Sequence, residues 1–167
     1  ARKVDLIFWS DAPNVSLVEM KCDNSTNTPT TLPYKNLLSY ATSAGKPLVL
    51  ICGSWSWPPF RAILPAIQRD LFQKYCAFAD FLCVYIEEAH ATDEWPISSA
   101  RYNNGQVCSI KQPKTNPERY DVVRKFKENF NVQMPIAFDS PELNNPFEQN
   151  YAPWPLRLFV IRNDKID

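Results

Sequence analysis

One loop of this sequence has the position, but not the residues, of a redox site. It runs Gly53-Ser54-Trp55-Ser56-Trp57-Pro58-Pro59-Phe60 and joins a buried strand to the helix that follows. Open α/β sheets place ligands at this edge, and a helix N-terminus stabilises negative charge, including a thiolate or a selenolate. Tryptophan performs no redox chemistry of this type. The same residues also fit a packing plug at a helix start, and both interpretations remain open.

A second cluster, Tyr85-Ile86-Glu87-Glu88-Ala89-His90, follows the next strand. Strand alternation puts Tyr85 and Glu87 on one face and Ile86 and Glu88 on the other, until the strand gives way to loop. His90 is the only histidine of the chain, and a neighbouring carboxylate would let it shuttle protons near neutral pH. The alternative is a surface histidine in an acidic turn.

The sequence offers little support for a metal site, a disulfide framework or a serine hydrolase site. The five cysteines are odd in number, widely spaced and without a C-x-x-C pair, so we interpret most as buried thiols. No H-E-x-x-H and no G-x-S-x-G motif occurs. We therefore expect no metal site and no cofactor. An improvised metal site would have to use Glu87, Glu88, His90 and Asp93.

Composition favours one globular domain. The chain has 167 residues, 45% of them hydrophobic, and a formal net charge of zero, so no bulk field would attract nucleic acid or an anionic membrane. No apolar run approaches the roughly 18 residues that cross a bilayer, so we expect a soluble chain as given. A membrane anchor upstream of Ala1 and the cellular compartment stay open.

The apolar patterns predict an α/β order of elements. Two buried strands, separated by a helix that Pro65 would kink, predict a parallel βαβ unit with a right-handed crossover. A long excursion over 88–118 comes next, and the turn Asn163-Asp164-Lys165 predicts a further strand after it. The predicted strands are Leu6–Trp9, Leu48–Cys52, Phe81–Ile86, Met134–Phe138 and Leu156–Ile161, and the predicted helices cover Tyr34–Ser43, the stretch after Pro59, and Tyr120–Phe130.

Several of these segments resemble the iodothyronine deiodinases. The specific match is Tyr85-Ile86-Glu87-Glu88-Ala89-His90-Ala91-Thr92-Asp93 with Trp95. Other matching segments are Lys46-Pro47-Leu48-Val49-Leu50, Gly53-Ser54, Pro58-Pro59-Phe60, Tyr151-Ala152 and Pro155-Leu156-Arg157-Leu158-Phe159-Val160-Ile161, so that the resemblance covers Leu37 to Ile166.

The resemblance implies a thioredoxin-like fold, with a central mixed β-sheet flanked by helices. Residues 34–167 would form this domain, with the insertion 88–118, and residues 1–33 would be an N-terminal strand and polar loop. We expect the last strand and helix of the fold to be missing from this chain. Members of the family are selenoproteins, commonly anchored in a membrane by their N-terminus, that remove iodine from thyroid hormones with thiol cosubstrates.

The resemblance also implies roles for individual residues. It puts Trp57 at the selenocysteine position and Trp55 at the position of a neighbouring cysteine. Four residues match the family's proton relay: Ser54, Tyr85, Glu88 and His90. Two match substrate-binding positions: Arg157, in the hormone clamp, and Pro155, a proline that is often held cis.

Two departures from the family pattern shape the functional hypothesis. The stretch Ile110–Glu118 has Gln112 and Pro113 but lacks the histidine of the family clamp, and Trp57 removes the selenolate. We therefore expect a catalytically degraded pseudoenzyme that acts as a binding or scaffold subunit. Its partner would bind an aromatic patch of Trp55, Trp57 and Phe60, or an open sheet edge.

The alternative hypothesis is an active deiodinase of thyroxine or related iodothyronines. UGA, which encodes selenocysteine, is read as tryptophan in some genetic codes, so Trp57 could stand for selenocysteine. Under this hypothesis alone, iodothyronine is the expected ligand.

Overall fold

The chain is described here by a computed structural model that covers residues 9–20, 29, 31–97 and 109–167. Its described strands form one seven-stranded mixed sheet in the order β2-β1-β5-β4-β3-β6-β7. Helices pack on this sheet, which confirms the predicted α/β architecture. The strands are β1 (Ser16–Glu19), β2 (Tyr34–Asn36), β3 (Leu48–Gly53), β4 (Asp80–Tyr85), β5 (Ile136–Phe138), β6 (Arg157–Arg162) and β7 (Lys165–Ile166).

The centre of the sheet is the parallel pair β3 and β4, whose register runs from Leu48 opposite Asp80 to Gly53 opposite Tyr85. Both strands are continuous apolar runs because both faces of the sheet are covered. The pairing confirms the predicted βαβ unit. It also ends both strands at the same edge, so the segments that follow them become neighbours.

The crossover between β3 and β4 is helical from Pro58 to Tyr75. It consists of α1 (Pro58–Ala66), a π-helical stretch (Ile67–Phe72) and α2 (Gln73–Tyr75). Two prolines open α1, where their missing N–H groups cost no hydrogen bond. Pro65 lies inside α1, and the regular α-helical pattern gives way to π-helix two residues later. The helix type thus changes after Pro65, and the kink expected at Pro65 stays a prediction.

Helix α3 (Asn116–Asn129) returns the chain to the sheet after the excursion. It begins four residues before the predicted start because Thr115 and Glu118 form a capping box. Its buried face includes Arg119, Tyr120, Val123 and Phe126. The short helix α4 (Pro146–Tyr151) was not predicted.

The predicted helix over Tyr34–Ser43 is wrong. Tyr34–Asn36 is β2, and Leu37–Tyr40 is a single 3-10 turn. The helical spacing was overridden by antiparallel pairing with β1, which lies in the stretch predicted as an N-terminal extension. Because β1 also pairs with β5, residues 16–19 belong to the central sheet. Leu6-Ile7-Phe8 of the predicted first strand, and residues 22–28 of the polar loop, lie outside the described residues.

The C-terminal hairpin confirms the turn predicted at Asn163–Lys165 and corrects two other expectations, the missing last strand and the open sheet edge. Asn163 and Asp164 have positive φ angles of 50° and 58°, as a two-residue hairpin turn requires, and β7 then begins at Lys165. A short last strand is therefore present. The outer edge of β7 is not open either: Trp9 N–H donates to Ile166 O at 2.8 Å, and Ile166 N–H donates to Ser10 O at 3.0 Å. The chain's own N-terminal segment satisfies the backbone groups of that edge.

None of the helices in the described ranges is both long and apolar enough to cross a bilayer.

Two carboxyl groups follow β5, that of the buried Asp139 and that of the half-buried Glu148. The Asp139 carboxylate accepts hydrogen bonds from Phe147 N–H at 2.9 Å and Glu148 N–H at 2.8 Å, which fixes the first turn of α4. Burial raises the pKa of Asp139 to about 6 and that of Glu148 to about 7. Because burial favours the protonated forms, the charged forms oppose folding above these values.

We predict that Glu148→Gln reduces the loss of stability between acidic and alkaline pH. The pKa of Glu148 is raised in the folded state, so its stabilising contribution is complete below its ordinary value of 4.5 and is lost as the pH rises through about 7. The variant cannot ionise, so its urea midpoint should fall less between pH 4.5 and 8. Glu128→Gln, at an exposed position of α3, is the control, and equal falls in wild type and Glu148→Gln would contradict the prediction.

A second prediction concerns the close contact between β3 and α1. A Cβ added at Gly53 would lie 2.6 Å from the ring of Phe60, which is fully buried. We expect Gly53→Ala to lower the free energy of unfolding by about 1–3 kcal/mol in urea titrations. Adding Phe60→Leu gives the methyl group room, so the double variant should lose less than the sum of the two single losses. Simple additivity would refute the contact.

Candidate active site

The site lies where the segments after β3 and β4 meet. Ile86 N–H donates to Gly53 O at 3.2 Å, which extends the strand pairing into the loops. Two buried serines of the loop after β3 accept hydrogen bonds from the backbone of the segment after β4. Ala89 N–H donates to Ser54 Oγ at 3.3 Å, and His90 N–H donates to Ser56 Oγ at 3.0 Å. The two clusters singled out in the sequence are thus in direct contact. The role of Ser56 was missed.

A buried hydroxyl–carboxyl pair forms the polar centre of the site. The Tyr85 hydroxyl donates to Glu88 Oε1 and accepts from Trp55 N–H at 3.1 Å, while Ser56 N–H donates to Glu88 Oε2 at 2.9 Å. Strict alternation would put Tyr85 and Glu88 on opposite faces. The strand ends at Tyr85, however, and the following turn brings Glu88 to the same side.

Burial raises the pKa of the Glu88 carboxyl, and the hydrogen bonds from Ser56 and Tyr85 oppose that rise. Its side chain is nearly inaccessible, with 3% of the residue exposed. On balance the pKa is raised, so Glu88 keeps its proton to a higher pH than a carboxyl in water does. Glu88 is therefore suited to hold or release a proton.

His90 is buried, with 7% of the residue exposed, so the surface-histidine interpretation is wrong. Its Nδ1 lies 3.0 Å from the carbonyl oxygen of Trp95. A carbonyl can only accept, so in the neutral ring Nδ1 carries the proton and Nε2 keeps its lone pair. Within the described ranges Nε2 has no hydrogen-bond partner, which leaves a buried acceptor at the site.

The ring of His90 contacts two indoles, and we call Trp57, His90 and Trp95 the aromatic wall. Trp57 stacks on His90 with ring centroids 5.3 Å apart and an interplanar angle of 23°, and Trp95 lies at 5.1 Å. Trp57 is half-buried and Trp95 is 64% exposed, so the wall is partly open to solvent. Trp95 lies in the segment that resembles the family, but no role was predicted for it.

The predicted aromatic patch needs one correction, because Phe60 is fully buried and stacks on Phe126 with centroids 5.8 Å apart. It belongs to the core and offers no contact surface. Trp55 is half-buried and also packs inward, with ring centroids 5.9 Å from Phe130. Of the three patch residues, Trp57 alone belongs to the aromatic wall.

The predicted substrate-binding residues lie on the other side of β3. The Trp154–Pro155 peptide bond is cis, as the resemblance implied. Arg157 is exposed, and its Cα is paired with that of Cys52, one residue before Gly53. Pro155 and Arg157 therefore lie at the same sheet edge as Tyr85 and Glu88, at the start of β6.

Gln112 joins the long excursion to the site, a role that the sequence did not reveal. Its Oε1 accepts from Glu88 N–H at 3.0 Å, and its Nε2 donates to Glu88 O at 3.3 Å and to Glu94 Oε2 at 3.1 Å. Its own N–H donates to Asp93 Oδ1 at 2.8 Å. The segment that lacks the family's histidine thus supports the Glu88 backbone. Residues 98–108 of the excursion lie outside the described residues.

None of the thiols in the described ranges belongs to this loop. Cys52 and Cys83 are buried in the central strands, and burial raises the pKa of both thiols, that of Cys83 to about 12. Cys76 is exposed at the end of α2. Cys22 and Cys108 lie outside the described residues. The loop itself presents indoles and hydroxyls in place of a thiolate.

Comparison with solved structures supports the thioredoxin-like fold. The thioredoxin domain of a thiol-disulfide oxidoreductase from Bacteroides vulgatus superposes with a TM-score of 0.59 over 97% of this chain and 86% of that chain, at 12% identity. At this identity the likeness concerns the fold alone.

Comparison with curated proteins is more specific. The chain is 29% identical over 161 residues to the type II iodothyronine deiodinase of Mus musculus, which covers 93% of this chain and 59% of that protein. It is 35% identical over 121 residues to the thyroxine 5-deiodinase of Gallus gallus, with 72% of this chain and 43% of that protein covered. The chain spans about half the length of these relatives.

The family model of the iodothyronine deiodinases matches residues 8–167, nearly the whole chain. The match includes the loop after β3, the Tyr85–Glu88 pair and the β6 flank. On these grounds the chain belongs to the iodothyronine deiodinase family.

Proposed function

We propose that this deiodinase-family chain is catalytically degraded and acts by binding, with a phenol of the iodothyronine type as its ligand. The observation that carries the proposal is the buried, unpartnered Nε2 of His90 beside the half-exposed ring of Trp57. This departs from our sequence-based hypothesis, which tied iodothyronine to an active enzyme.

The loss of catalysis follows from the chemistry of residue 57. Reductive deiodination replaces a carbon–iodine bond by a carbon–hydrogen bond, releases iodide and consumes two electrons, which thiols supply. A selenolate or thiolate must accept the iodine and then be regenerated by thiol exchange. The indole of Trp57 offers no such centre, and Trp55 offers no neighbouring thiol.

Binding has physical support in the aromatic wall. An aromatic ring stacked on Trp57 gains about 0.5–1.5 kcal/mol beyond the area that it buries. A phenol hydroxyl that enters when the indoles of Trp57 and Trp95 shift can donate a hydrogen bond to the lone pair of His90 Nε2. Satisfying a buried acceptor is worth about 1–3 kcal/mol. Together these contacts favour a phenol over an aromatic ring without a hydroxyl group.

A second candidate is an active deiodinase in which residue 57 is selenocysteine. The observation that favours it is the intact polar centre, since Tyr85, Glu88 and Ser56 form a closed hydrogen-bond network beside the loop. A proton source of this kind has an obvious use when a carbon–iodine bond becomes a carbon–hydrogen bond.

We predict that thyroxine binds the chain and quenches its tryptophan fluorescence, and that Trp57→Ala weakens binding about tenfold through the lost stacking. Fluorescence titration gives both dissociation constants. Trp9→Ala is the matched control, because Trp9 is 62% exposed and lies on the N-terminal segment beside β7. Unchanged affinity in Trp57→Ala, or equal losses in both variants, would refute the proposed binding surface.

We further predict that Trp57→Cys creates thiol-dependent release of iodide from thyroxine. The new thiol would stand at the N-cap of α1, where the helix dipole favours a thiolate, and next to an intact polar centre. Adding Glu88→Gln should abolish the gain, and Trp55→Cys alone should show none. If Trp57→Cys binds thyroxine but releases no iodide above the background with thiol alone, the polar centre is not a working proton source.

A further inference from the structure

Arg119 is a buried arginine close to the site that has no part in the proposed binding of a phenol. Arg119 is fully buried on α3, and its Nη1 donates to Asp139 O at 2.7 Å and to Asn145 Oδ1 at 2.6 Å. Its Nε and Nη2 have no partner within the described ranges. Burying a charge is unfavourable unless neighbouring groups compensate, so a buried arginine with two unpartnered nitrogens within the described ranges needs a structural explanation.

Both partners of Arg119 Nη1 lead to the end of β4. The backbone of Asp139 continues the hydrogen bond, because its N–H donates to Tyr85 O at 2.9 Å. The side chain of Asn145 does the same, because its Nδ2 donates to Glu87 Oε1 at 2.6 Å. Through Asp139 and Asn145, Arg119 is therefore connected to Tyr85 and Glu87, which lie three residues and one residue before Glu88.

We propose that Arg119 is the positioning residue of the site: it fixes the turn after β4 through Asp139 and Asn145, and so holds the Glu88 carboxyl against the Tyr85 hydroxyl. The turn needs such support because the ladder of β4 ends at Tyr85. On the opposite side, Gln112 holds the Glu88 backbone. The inference uses the same site as the proposed function but needs no ligand.

The charge of Arg119 acts in the same sense as its hydrogen bonds. Burial raises the pKa of Glu88, and the positive field of Arg119 is among the influences that oppose the rise. A neutral residue at position 119 would leave Glu88 protonated over a wider pH range. Geometry and charge can be separated, because lysine keeps the charge of arginine but not its planar fork of donors.

The test uses ligand-free protein, three test variants, one control variant and one variant for signal assignment. Arg119→Met removes both the planar fork of donors and the positive charge, whereas Arg119→Lys removes only the fork. Asn145→Gly removes the side chain that links Arg119 to Glu87 and leaves the charge unchanged. Glycine suits position 145, where φ is 51°. Lys125→Met, at an exposed position of the same helix, is the control. Carboxyl carbon NMR gives the titration midpoint of Glu88, identified with Glu88→Gln, and hydrogen exchange gives the protection of the Ser56 and Leu50 amides.

We expect Arg119→Met to raise the Glu88 midpoint by about one pH unit. Arg119→Lys should change it by less than about half a unit. Arg119→Met, Arg119→Lys and Asn145→Gly should each lower the hydrogen-exchange protection of the Ser56 amide, which donates to Glu88, about tenfold relative to that of Leu50 in the sheet. Lys125→Met should leave it unchanged.

The proposal is overturned if Asn145→Gly leaves Ser56 as protected as in wild type. It is also overturned if Ser56 and Leu50 lose protection equally, since Arg119 would then serve stability alone. Should Arg119→Met not fold, Arg119→Lys and Asn145→Gly decide the question. Because the sample contains no thyroxine, a negative result here leaves the binding proposal intact, and a failure of thyroxine binding leaves this inference intact.

Discussion

Parallel pairing of β3 with β4 sets the geometry of everything at the site. The register ends with Gly53 opposite Tyr85, and one further hydrogen bond, from Ile86 N–H to Gly53 O, carries the alignment past the strands. The two following segments then have one edge of the sheet in common, where Ser56 faces Glu88. If the register slipped by one residue, Tyr85 would turn to the other face and the buried hydroxyl–carboxyl pair could not form.

The sequence predicted much of this arrangement because its signals are local. Continuous apolar runs marked β3 and β4 as covered on both faces, and the helix between them required a parallel crossover. That alone put the tryptophan loop and the segment ending at His90 on the same edge. The family resemblance added individual residues, and Pro155 is cis as it implied.

The remaining features depend on contacts between residues distant in sequence. β2 formed in place of a helix because β1 was there to pair with it, and nothing near Tyr34 announces that partner. Gln112 reaches Glu88 across 24 positions, and Arg119 reaches Asn145 across 26. Polar residues of this kind look like ordinary surface residues in the sequence, so their burial is apparent only in the folded chain.

A polar centre suited to proton transfer thus surrounds a loop whose two key positions are indoles. Trp57 stacks on His90, so it fits the site as a ring surface and not as a reacting group. The most direct test is the selenium content of the protein isolated from its natural source, measured by elemental analysis together with intact mass. The account predicts no selenium and a mass that includes tryptophan at position 57. One selenium atom per chain would contradict it and would make the second candidate, an active deiodinase, the correct function.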